Sequence, residues 1–556
     1  MKPTKNSQVA DTLTADVVIV GAGVAGLLAA YKLSQSGARV LVLEAGPAIE
    51  RIEAIENYRN AIAKTPESPY PGTEYAPRPS VIALDDYYVQ AGPTQFKSTY
   101  IRRVGGTTWH WLGTALRHLP ADFEMRTRYG VAVDWPISYE ALEPWYSAAE
   151  HELGVAGDSE ASLGSPRSRE YPMQPLPLTY LDRQVGQAAK SLGLTVRITP
   201  QARNAVTYQN RPPCCGSANC IPICPIGAKY DATVHLRKAV EHGARVVDQA
   251  VVYQVEVDNE GRVTGVRLKR PDGTEQRAEG QIYVLAAHAI ETPKILLMSR
   301  TDALPNGVAN SSGLVGRHLM DHPIQLSWAL AENPLYPYRS PLENAGIEDF
   351  RDGAFRSQRS AFRIAIGEDG WSFPGTSPPT LASNLIKKGF RGQALQAAMN
   401  AHTARQFRFA CLVEQLPDPE NRIEPAFDQP DSFGIPRPRL YYRLDEFTQQ
   451  ALAEARRVSE EIFRAMGVLY LEHAPEHFGA GHVMGTYRMG LDPNSSVVTP
   501  EQRSHDHPNL FLLGSGVFPT VGTANPTLTI AALSLWAAET ISRELASLGP
   551  EVAAGE

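Results

Sequence analysis

The stretch DVVIVGAGVAG, residues 16–26, decides the fold of this chain. Its first half is a short apolar run typical of a buried strand, and its second half is a turn with the glycine spacing G-x-G-x-x-G. A helical pattern, LLAAYKLSQSG, continues to residue 37, and a second strand, RVLVLEAG, covers residues 39–46. Strand, glycine turn, helix and strand in this order predict the first βαβ unit of a doubly wound α/β fold.

The residue types in this unit indicate a dinucleotide site. Gly21 permits the tight turn, Gly23 lets the backbone approach a pyrophosphate, and Gly26 lets the helix lie close to the strand. The free amides at the helix N-terminus can bind the phosphates. Glu44, at the end of the second strand, is expected to accept hydrogen bonds from the adenosine ribose hydroxyls. NAD and FAD both use this motif, and a purely structural glycine turn is the alternative.

The composition is that of a globular protein with many loops, since 43% of the 556 residues are hydrophobic and 20% are charged. A formal net charge of −7 without a long basic run argues against a nucleic-acid partner. The N-terminal segment lacks the apolar region of a secretory signal, and no segment approaches the roughly 18 apolar residues of a transmembrane helix. Taken alone, these features predict a soluble, cytoplasmic chain.

Further segments, in order along the chain, carry a family resemblance. They are RRVGGTTWHW at 102–111, AAHAIETPKILLMS at 286–299, VGRHLMDHP at 315–323, HVMGTYRMG at 482–490 and NLFLLGSGVFPTVGTANPTLTIAALSLWAAE at 509–539. Together with GAGVAG and LEAG they resemble the glucose–methanol–choline (GMC) family of FAD-dependent oxidoreductases. The resemblance implies an α/β GMC fold, in which a discontinuous Rossmann-like FAD-binding domain receives an inserted substrate-binding domain of β-sheet and helices.

The resemblance also implies domain boundaries. The FAD-binding domain is expected to comprise residues 14–50, 90–125, 185–325 and 480–550, including a cysteine-rich loop at 211–232. The substrate-binding domain is expected at residues 51–89, 126–184 and 326–479. Residues 1–13 and 551–556 are expected to be flexible termini.

The resemblance assigns the chemistry to two side chains. His482 is expected to be the general base that removes the substrate's hydroxyl proton, because the pKa of imidazole lies near physiological pH. Asn525 matches the second position of the family's His/His or His/Asn pair, and is expected to position the substrate oxygen. A core histidine and a helix-capping asparagine are the alternatives. His322, in the MDHP segment, is expected to be structural.

The same motifs predict the contacts with FAD. The helix end after Asn525 is expected to face the flavin and to stabilise its reduced, anionic form. His110 resembles the histidine that bonds covalently to the flavin in the pyranose oxidase pattern, and a non-covalent contact is the alternative. The complete predicted set is Gly21, Gly23, Gly26, Glu44, Gly105, Gly106, Thr107, His110, Val252, Ser515, Gly516, Asn525, Pro526 and Thr527.

Four of the five cysteines lie in one short stretch, CCGSANCIPICP at 214–225. Iron–sulfur clusters are held by thiolates, often with a proline after the last one, whereas zinc sites prefer paired C-x2-C-like knuckles or added histidines. Cys214, Cys220 and Cys224 are the expected ligands. Cys215 is a spare or alternative ligand, because adjacent side chains of an extended backbone point in opposite directions. A local disulfide or inert buried thiols are the alternatives, and Cys411 is expected in the core.

Residues 211–232 resemble the catalytic subunits of bacterial membrane-associated glucose, gluconate, fructose and sorbitol dehydrogenases. That resemblance implies a [3Fe–4S] cluster, a multihaem cytochrome c subunit as acceptor, and a small signal-bearing subunit that accompanies the chain to the periplasm. The expected reaction is oxidation of a CH–OH group of a sugar or polyol, and Gly481 beside the base puts glucose itself in doubt. An O2-using oxidase with structural cysteines and a non-redox lyase that retains FAD are the alternatives.

Overall fold

The computed structural model describes residues 12–62, 64–369 and 378–548. The strands are β1 Leu13–Thr14, β2 Val17–Val20, β3 Val40–Leu43, β4 Val89–Gln90, β5 Val196–Ile198, β6 Arg245–Val247, β7 Val251–Val257, β8 Val263–Lys269, β9 Glu275–Glu279, β10 Ile282–Leu285, β11 Pro323–Leu330, β12 Glu343–Ile347, β13 Phe362–Gly367, β14 Gln406–Val413, β15 Arg422–Pro430, β16 Pro436–Tyr441, β17 Tyr470–His473, β18 Phe478–Gly479 and β19 Leu510–Leu512. The helices are α1 Val24–Gln35, α2 Arg51–Asn60, α3 Met125–Tyr129, α4 Tyr139–Leu153, α5 Tyr180–Ser191, α6 Thr233–Glu241, α7 His288–Met298, α8 Pro378–Lys387, α9 Gly392–Thr403, α10 Glu446–Ala465 and α11 Thr527–Leu548.

A parallel sheet with the strand order β19-β10-β2-β3-β6 forms the first layer of the fold. The runs VVIV in β2 and VLVL in β3 are buried at every position, as expected for strands covered on both faces. Helices α1, α6 and α11 pack together beside the sheet. Because β2, β3, β10 and β19 are parallel, their carboxyl ends meet at one edge, where ligands of open α/β sheets bind.

A second sheet, antiparallel, has the order β17-β11-β14-β13-β12-β5, with β18 also paired to β11. Its central strand β14 is buried at every position, and α10 and α5 pack against this part of the fold. Cys411 lies within β14 with no exposed surface, so burial raises the pKa of its thiol to about 12. Two smaller sheets, β1-β9-β8-β7 and β15-β16-β4, complete the strand layers.

The structure departs from the predicted domain boundaries in two places. Strand β5 lies within the segment 185–325 but pairs with β12 of the antiparallel sheet. Helix α4 lies within the segment 126–184 but packs on α11, where Tyr146 and Thr529 share a hydrogen bond of 2.8 Å. Each element packs against a partner that is distant in the sequence, β12 for β5 and α11 for α4. Local sequence patterns do not indicate such partners.

Residues 1–13 and 551–556 were predicted to be flexible termini. Residues 1–11 and 551–556 lie outside the described residues, whereas Leu13, in β1, pairs with Ala278 of β9. Within the described ranges, no helix combines the length and the apolar character that crossing a membrane requires.

Candidate active site

A cavity of about 630 Å³ opens at the carboxyl edge of the parallel sheet. The loops that follow β2, β3, β10 and β19 contribute to its wall, together with the segment 106–112 and the loop that carries His482. The predicted residues on the wall are Gly21, Gly23, Glu44, Gly106, Thr107, His110, Val252, His482, Ser515, Asn525, Pro526 and Thr527.

Two glycines of the turn, Gly26 and Gly23, have different physical roles. A Cβ atom placed on Gly26 would lie 2.0 Å from the carbonyl oxygen of Gly21, so this glycine is needed for close packing of helix and strand. A Cβ atom on Gly23 would meet no protein atom within 4 Å, and Gly23 faces the cavity. The space beside Gly23 is therefore available to a ligand that approaches the backbone.

Two other predicted glycines are not on the cavity wall. A Cβ atom on Gly105 would lie 2.6 Å from Nε1 of Trp109, and one on Gly516 would lie 2.0 Å from Cε1 of Tyr487. Both positions allow an indole or phenol ring to pack against the backbone. Close packing against aromatic side chains accounts for glycine at both positions, and their predicted contact with FAD stays a prediction.

The predicted catalytic pair meets at the cavity. Nδ2 of Asn525 lies 3.3 Å from Nε2 of His482, and Oδ1 of Asn525 is buried without a hydrogen-bond partner among the described residues. Desolvation, followed by the charges of His322 and Arg363, lowers the pKa of His482 well below its ordinary value. The imidazole is therefore neutral near pH 7, which is the form that can accept a proton.

A buried carboxylate lies beneath this pair. Asp321 accepts hydrogen bonds from the backbone amides of His322 at 2.8 Å and His482 at 2.9 Å, and from the hydroxyl of Ser98. Burial raises the pKa of Asp321 to about 6, although these hydrogen bonds lower it. His322, expected to be structural, lies with its Nδ1 only 2.9 Å from Nδ1 of His482.

The cysteine-rich loop reaches the same cavity from another side, because Ile221 forms part of the wall. The neighbouring Cys220 is buried, and its sulfur accepts hydrogen bonds from Nη2 of Arg203 at 3.1 Å and from the amide of Leu342 at 3.3 Å. Arg203 also donates to the carbonyl of Leu112 on the cavity wall. The loop is thus tied directly to the segment that lines the cavity.

Three of the four loop cysteines form one electrostatic neighbourhood. Burial raises the pKa of the Cys214 thiol, and Cys220 and Cys224 are close enough to raise it further. The same two cysteines act on Lys229, whose pKa burial lowers to about 8. Cys215 is exposed, and none of the five cysteines is in a disulfide.

Within residues 12–62, 64–369 and 378–548, no three histidine, cysteine, aspartate or glutamate side chains are placed to hold one metal ion.

The comparisons with known proteins agree with this geometry. Sequence models described as GMC oxidoreductase match residues 16–324 and 417–534. The chain belongs to the GMC oxidoreductase family. It is 40% identical over 546 residues to the fructose dehydrogenase large subunit of Gluconobacter japonicus, covering 96% of this chain and 99% of the relative. It is also 24% identical to the gluconate 2-dehydrogenase flavoprotein of Pantoea cypripedii, covering 97% of this chain and 95% of that protein.

Solved structures support the GMC fold. A crystal structure of formate oxidase covers 97% of this chain and all of its own chain, with a TM-score of 0.67 and 16% identity. Pyridoxine 4-oxidase covers 96% of this chain and 99% of its own chain, with a TM-score of 0.62 and 17% identity. The family and the dehydrogenase relatives make this GMC chain an FAD-dependent oxidoreductase that acts on CH–OH groups.

The residues at the sheet edge fit FAD. Glu44 is fixed by accepting the amides of Ala22 at 2.8 Å and Gly46 at 3.0 Å, so its remaining lone pairs face the cavity. Gly23 leaves room for a pyrophosphate, and α11 directs its N-terminus to the wall at Pro526. Bound FAD would supply a two-electron acceptor, and the residues of this GMC chain at the sheet edge would hold it in place.

One group of wall residues was not predicted from the sequence of this GMC chain. The carboxylate of Glu291 accepts hydrogen bonds from the hydroxyls of Tyr87 and Tyr100 and pairs with Lys294 at 2.9 Å. Although burial raises the pKa of Glu291, Arg102 and Lys294 hold it below its ordinary value. The motif AAHAIETPKILLMS contains Glu291, but its apolar helical pattern gave no sign that this carboxylate would reach the cavity.

Proposed function

We propose that this chain is the catalytic subunit of an FAD-dependent sugar dehydrogenase, and that D-fructose is the first substrate to test. Support comes from 40% identity to a fructose dehydrogenase large subunit along nearly the whole of both chains. The observation that carries the proposal is the position of the cysteine loop, since Ile221 lies on the wall of the cavity that also holds His482.

On the proton side, His482 is the proposed base. Its Nε2 receives the proton of the substrate hydroxyl, while Nδ2 of Asn525 donates a hydrogen bond to the substrate oxygen. Burial keeps the imidazole neutral, so no proton has to leave before the substrate's proton arrives. Bound FAD would supply the acceptor for the hydride of the adjacent carbon, which balances the oxidation of the alcohol to a carbonyl.

On the electron side, Cys214, Cys220 and Cys224 are the proposed ligands of a [3Fe–4S] cluster. Thiolates carry negative charge, and Arg203 and Lys229 supply positive charge beside them. Lys229 also donates to the carbonyl of Trp111, which lines the cavity, and so connects the cysteine loop to the cavity wall. These two cations would stabilise a cluster held by the three thiolates, and the chemistry that such a cluster would supply is the transfer of single electrons.

The proposed partners follow from the relatives. One of them is named a large subunit and another a flavoprotein, which makes an assembly of several subunits plausible. We propose a small signal-bearing subunit, a multihaem cytochrome c subunit as electron acceptor, and a periplasmic location reached with the former. The membrane is contacted only through these partners in this proposal.

The test uses the purified holoprotein under anaerobic conditions. D-fructose, D-glucose, D-gluconate and D-sorbitol are added separately, and bleaching of the visible flavin absorbance and low-temperature electron paramagnetic resonance are measured on one sample. Iron and acid-labile sulfide are determined on the same preparation. The proposal predicts bleaching by D-fructose together with a cluster signal that changes on reduction.

The alternatives give different results. Protein that holds FAD but neither iron nor sulfide, and that forms hydrogen peroxide in full stoichiometry in air, is an oxidase with structural cysteines. Two relatives at 29% and 27% identity are named oxidases, so this outcome is tested directly. Protein whose flavin no sugar or polyol bleaches contradicts the dehydrogenase proposal altogether.

A further inference from the structure

A second histidine stands behind His482. The side chain of His322 has no exposed surface, and its ring is perpendicular to that of His482 with the centroids 5.1 Å apart. An antiparallel bridge pairs Met320 with Met484, and the backbone amides of His322 and His482 both donate to Oδ1 of Asp321. The backbones that carry the two rings are therefore held to one buried carboxylate.

The hydrogen bonds of His322 determine where its proton lies. Its Nε2 is 3.0 Å from the carbonyl oxygen of Gly522, which can only accept, so Nε2 carries the proton. Burial lowers the pKa of His322 to about 4, so the ring is neutral and its Nδ1 holds a lone pair.

The proton of His482 follows from that lone pair. Its Nδ1 lies 2.9 Å from Nδ1 of His322, and because His322 accepts at this atom, His482 must donate. A neutral imidazole with a proton on Nδ1 has its lone pair on Nε2, the nitrogen that faces Asn525 and the cavity.

We propose that His322 is a positioning residue that holds His482 in the tautomer with a proton on Nδ1 and a free lone pair on Nε2. The inference rests on the proposed function in taking His482 as the base. In the step it prepares, the O–H bond of the substrate breaks and its proton bonds to Nε2, while the hydride leaves for FAD. His482 then carries a proton on both nitrogens, and Nδ1 continues to donate to His322.

The surroundings of His322 suit this role. The ionisable groups around it are His118, Asp122, Asp321 and His482. His118 has a pKa that burial lowers to about 4, and Asp122 is paired with Arg356 at 2.9 Å. Because these neighbours offer His322 no proton near pH 7, its Nδ1 remains an acceptor.

The test compares two substitutions at one position. His322→Ala removes the acceptor, and His322→Asn places a side-chain oxygen near the position of Nδ1. We expect His322→Ala to slow anaerobic flavin reduction by about 10²–10⁴-fold with little change in the substrate concentration at half-saturation, because the base is no longer held in the reactive tautomer. We expect His322→Asn to recover the rate to within about tenfold of the original, since it restores the acceptor.

A matched control comes from another buried histidine. In His507, Nδ1 is 2.8 Å from the carbonyl of Gly261 and Nε2 accepts the amide of Ala309 at 3.0 Å, and His507 does not line the cavity. His507→Ala removes a comparable pair of hydrogen bonds and is expected to leave the rate of flavin reduction within about twofold. Equal loss of rate in His322→Ala and His322→Asn, at full FAD content, would overturn the inference.

A second readout does not depend on turnover. In protein labelled with nitrogen-15 at histidine, the His482 signals are identified by their loss in His482→Gln. The inference predicts a pyridine-type Nε2 and a protonated Nδ1 in the unsubstituted protein, and a change of this pattern in His322→Ala. A protonated Nε2 in the unsubstituted protein overturns the inference even where a sugar bleaches the flavin. If no sugar bleaches the flavin, the proposed function fails, while this readout still tests the tautomer.

Discussion

Two ends of one cavity wall are built in contrasting ways. At the histidine end, His322, His482 and Asn525 bind one another through neutral nitrogen atoms and amides. At the cysteine end, the sulfur of Cys220 accepts from the guanidinium of Arg203, and Lys229 stands close by. The histidine end has buried neutral groups, whereas the cysteine end has cations next to thiols that are proposed to become thiolates.

The contrast follows from the proposed role of each end, which is proton transfer at the histidine end and electron transfer at the cysteine end. A base must be neutral before the substrate arrives, and burial is the largest of the effects that lower the pKa of His482. Thiolate ligands must be negative, and burial opposes that charge, as the raised pKa of Cys214 shows. Burial therefore favours the required state at the histidine end, whereas the cysteine end needs cations to oppose its effect.

The largest expected effect is at the histidine end. His482→Ala removes the proposed base and is expected to slow flavin reduction by the sugar by about 10²–10⁴-fold. Stopped-flow absorbance under anaerobic conditions measures this rate. FAD and iron contents are measured alongside and are expected to be unchanged, because the substitution leaves the sheet edge and the cysteine loop intact. A rate within about tenfold of the original would show that another group takes the proton.

The cysteine end is expected to give a smaller effect on a different step. Cys220→Ser removes a proposed ligand, so turnover with a one-electron acceptor such as cytochrome c should fall at least about tenfold. Flavin reduction by the sugar should be unchanged, since it does not pass through the sulfur atoms. Cys215→Ser is the matched control, because Cys215 is exposed whereas Cys220 is buried.

Measurements on the two cysteine variants can also contradict the proposed difference between the histidine end and the cysteine end. If Cys220→Ser slows flavin reduction as much as turnover, the cysteine loop shapes the cavity and does not conduct electrons. If Cys215→Ser loses the iron and Cys220→Ser keeps it, the ligand set is different from the one proposed. Iron and labile sulfide determinations on both proteins distinguish these results.

The two ends also differ in how far the sequence predicted them. The cysteine loop is visible because its residues are contiguous, and the βαβ unit is visible because its glycines and apolar runs are local. His322 and His482 are 160 residues apart, and the register between Met320 and Met484 that brings them together is a long-range pairing. His322 was accordingly expected to be structural, although it contacts the proposed base.

Other differences have the same cause. Gly105 and Gly516 belong to motifs that border the cavity, but each accommodates an aromatic ring, which only the packed structure reveals. Strand β5 joins the antiparallel sheet through β12, its partner almost 150 residues later, and no local pattern indicates that pairing. The motifs identified the family and its fold, whereas side-chain contacts between distant segments required the structure.

The smallest expected effect concerns the pH dependence of the histidine end. Burial raises the pKa of Asp321 to about 6, whereas the pKa of His482 is lowered well below its usual range, so Asp321 is the group that titrates between pH 5 and 7. Its ionised form accepts the amides of His322 and His482, and we expect flavin reduction to slow as the pH falls below about 6. Its contribution to folding has the opposite sign. Because the pKa is higher in the folded chain, that contribution is complete below about pH 4 and is lost as the pH rises through 6.

Ser98 provides a way to move this titration. Its hydroxyl donates to Asp321 and so lowers the pKa of the carboxyl, and Ser98→Ala is expected to shift the acid limb of the flavin-reduction profile upward by up to about one pH unit. Ser327→Ala is the control, because Ser327 is an equally buried serine that bonds to His473 instead. A limb that stays in place in Ser98→Ala, and persists in Asp321→Asn, would assign the titration to another group. A limb that moves in Ser98→Ala and stays in place in Ser327→Ala would assign the acid limb to Asp321.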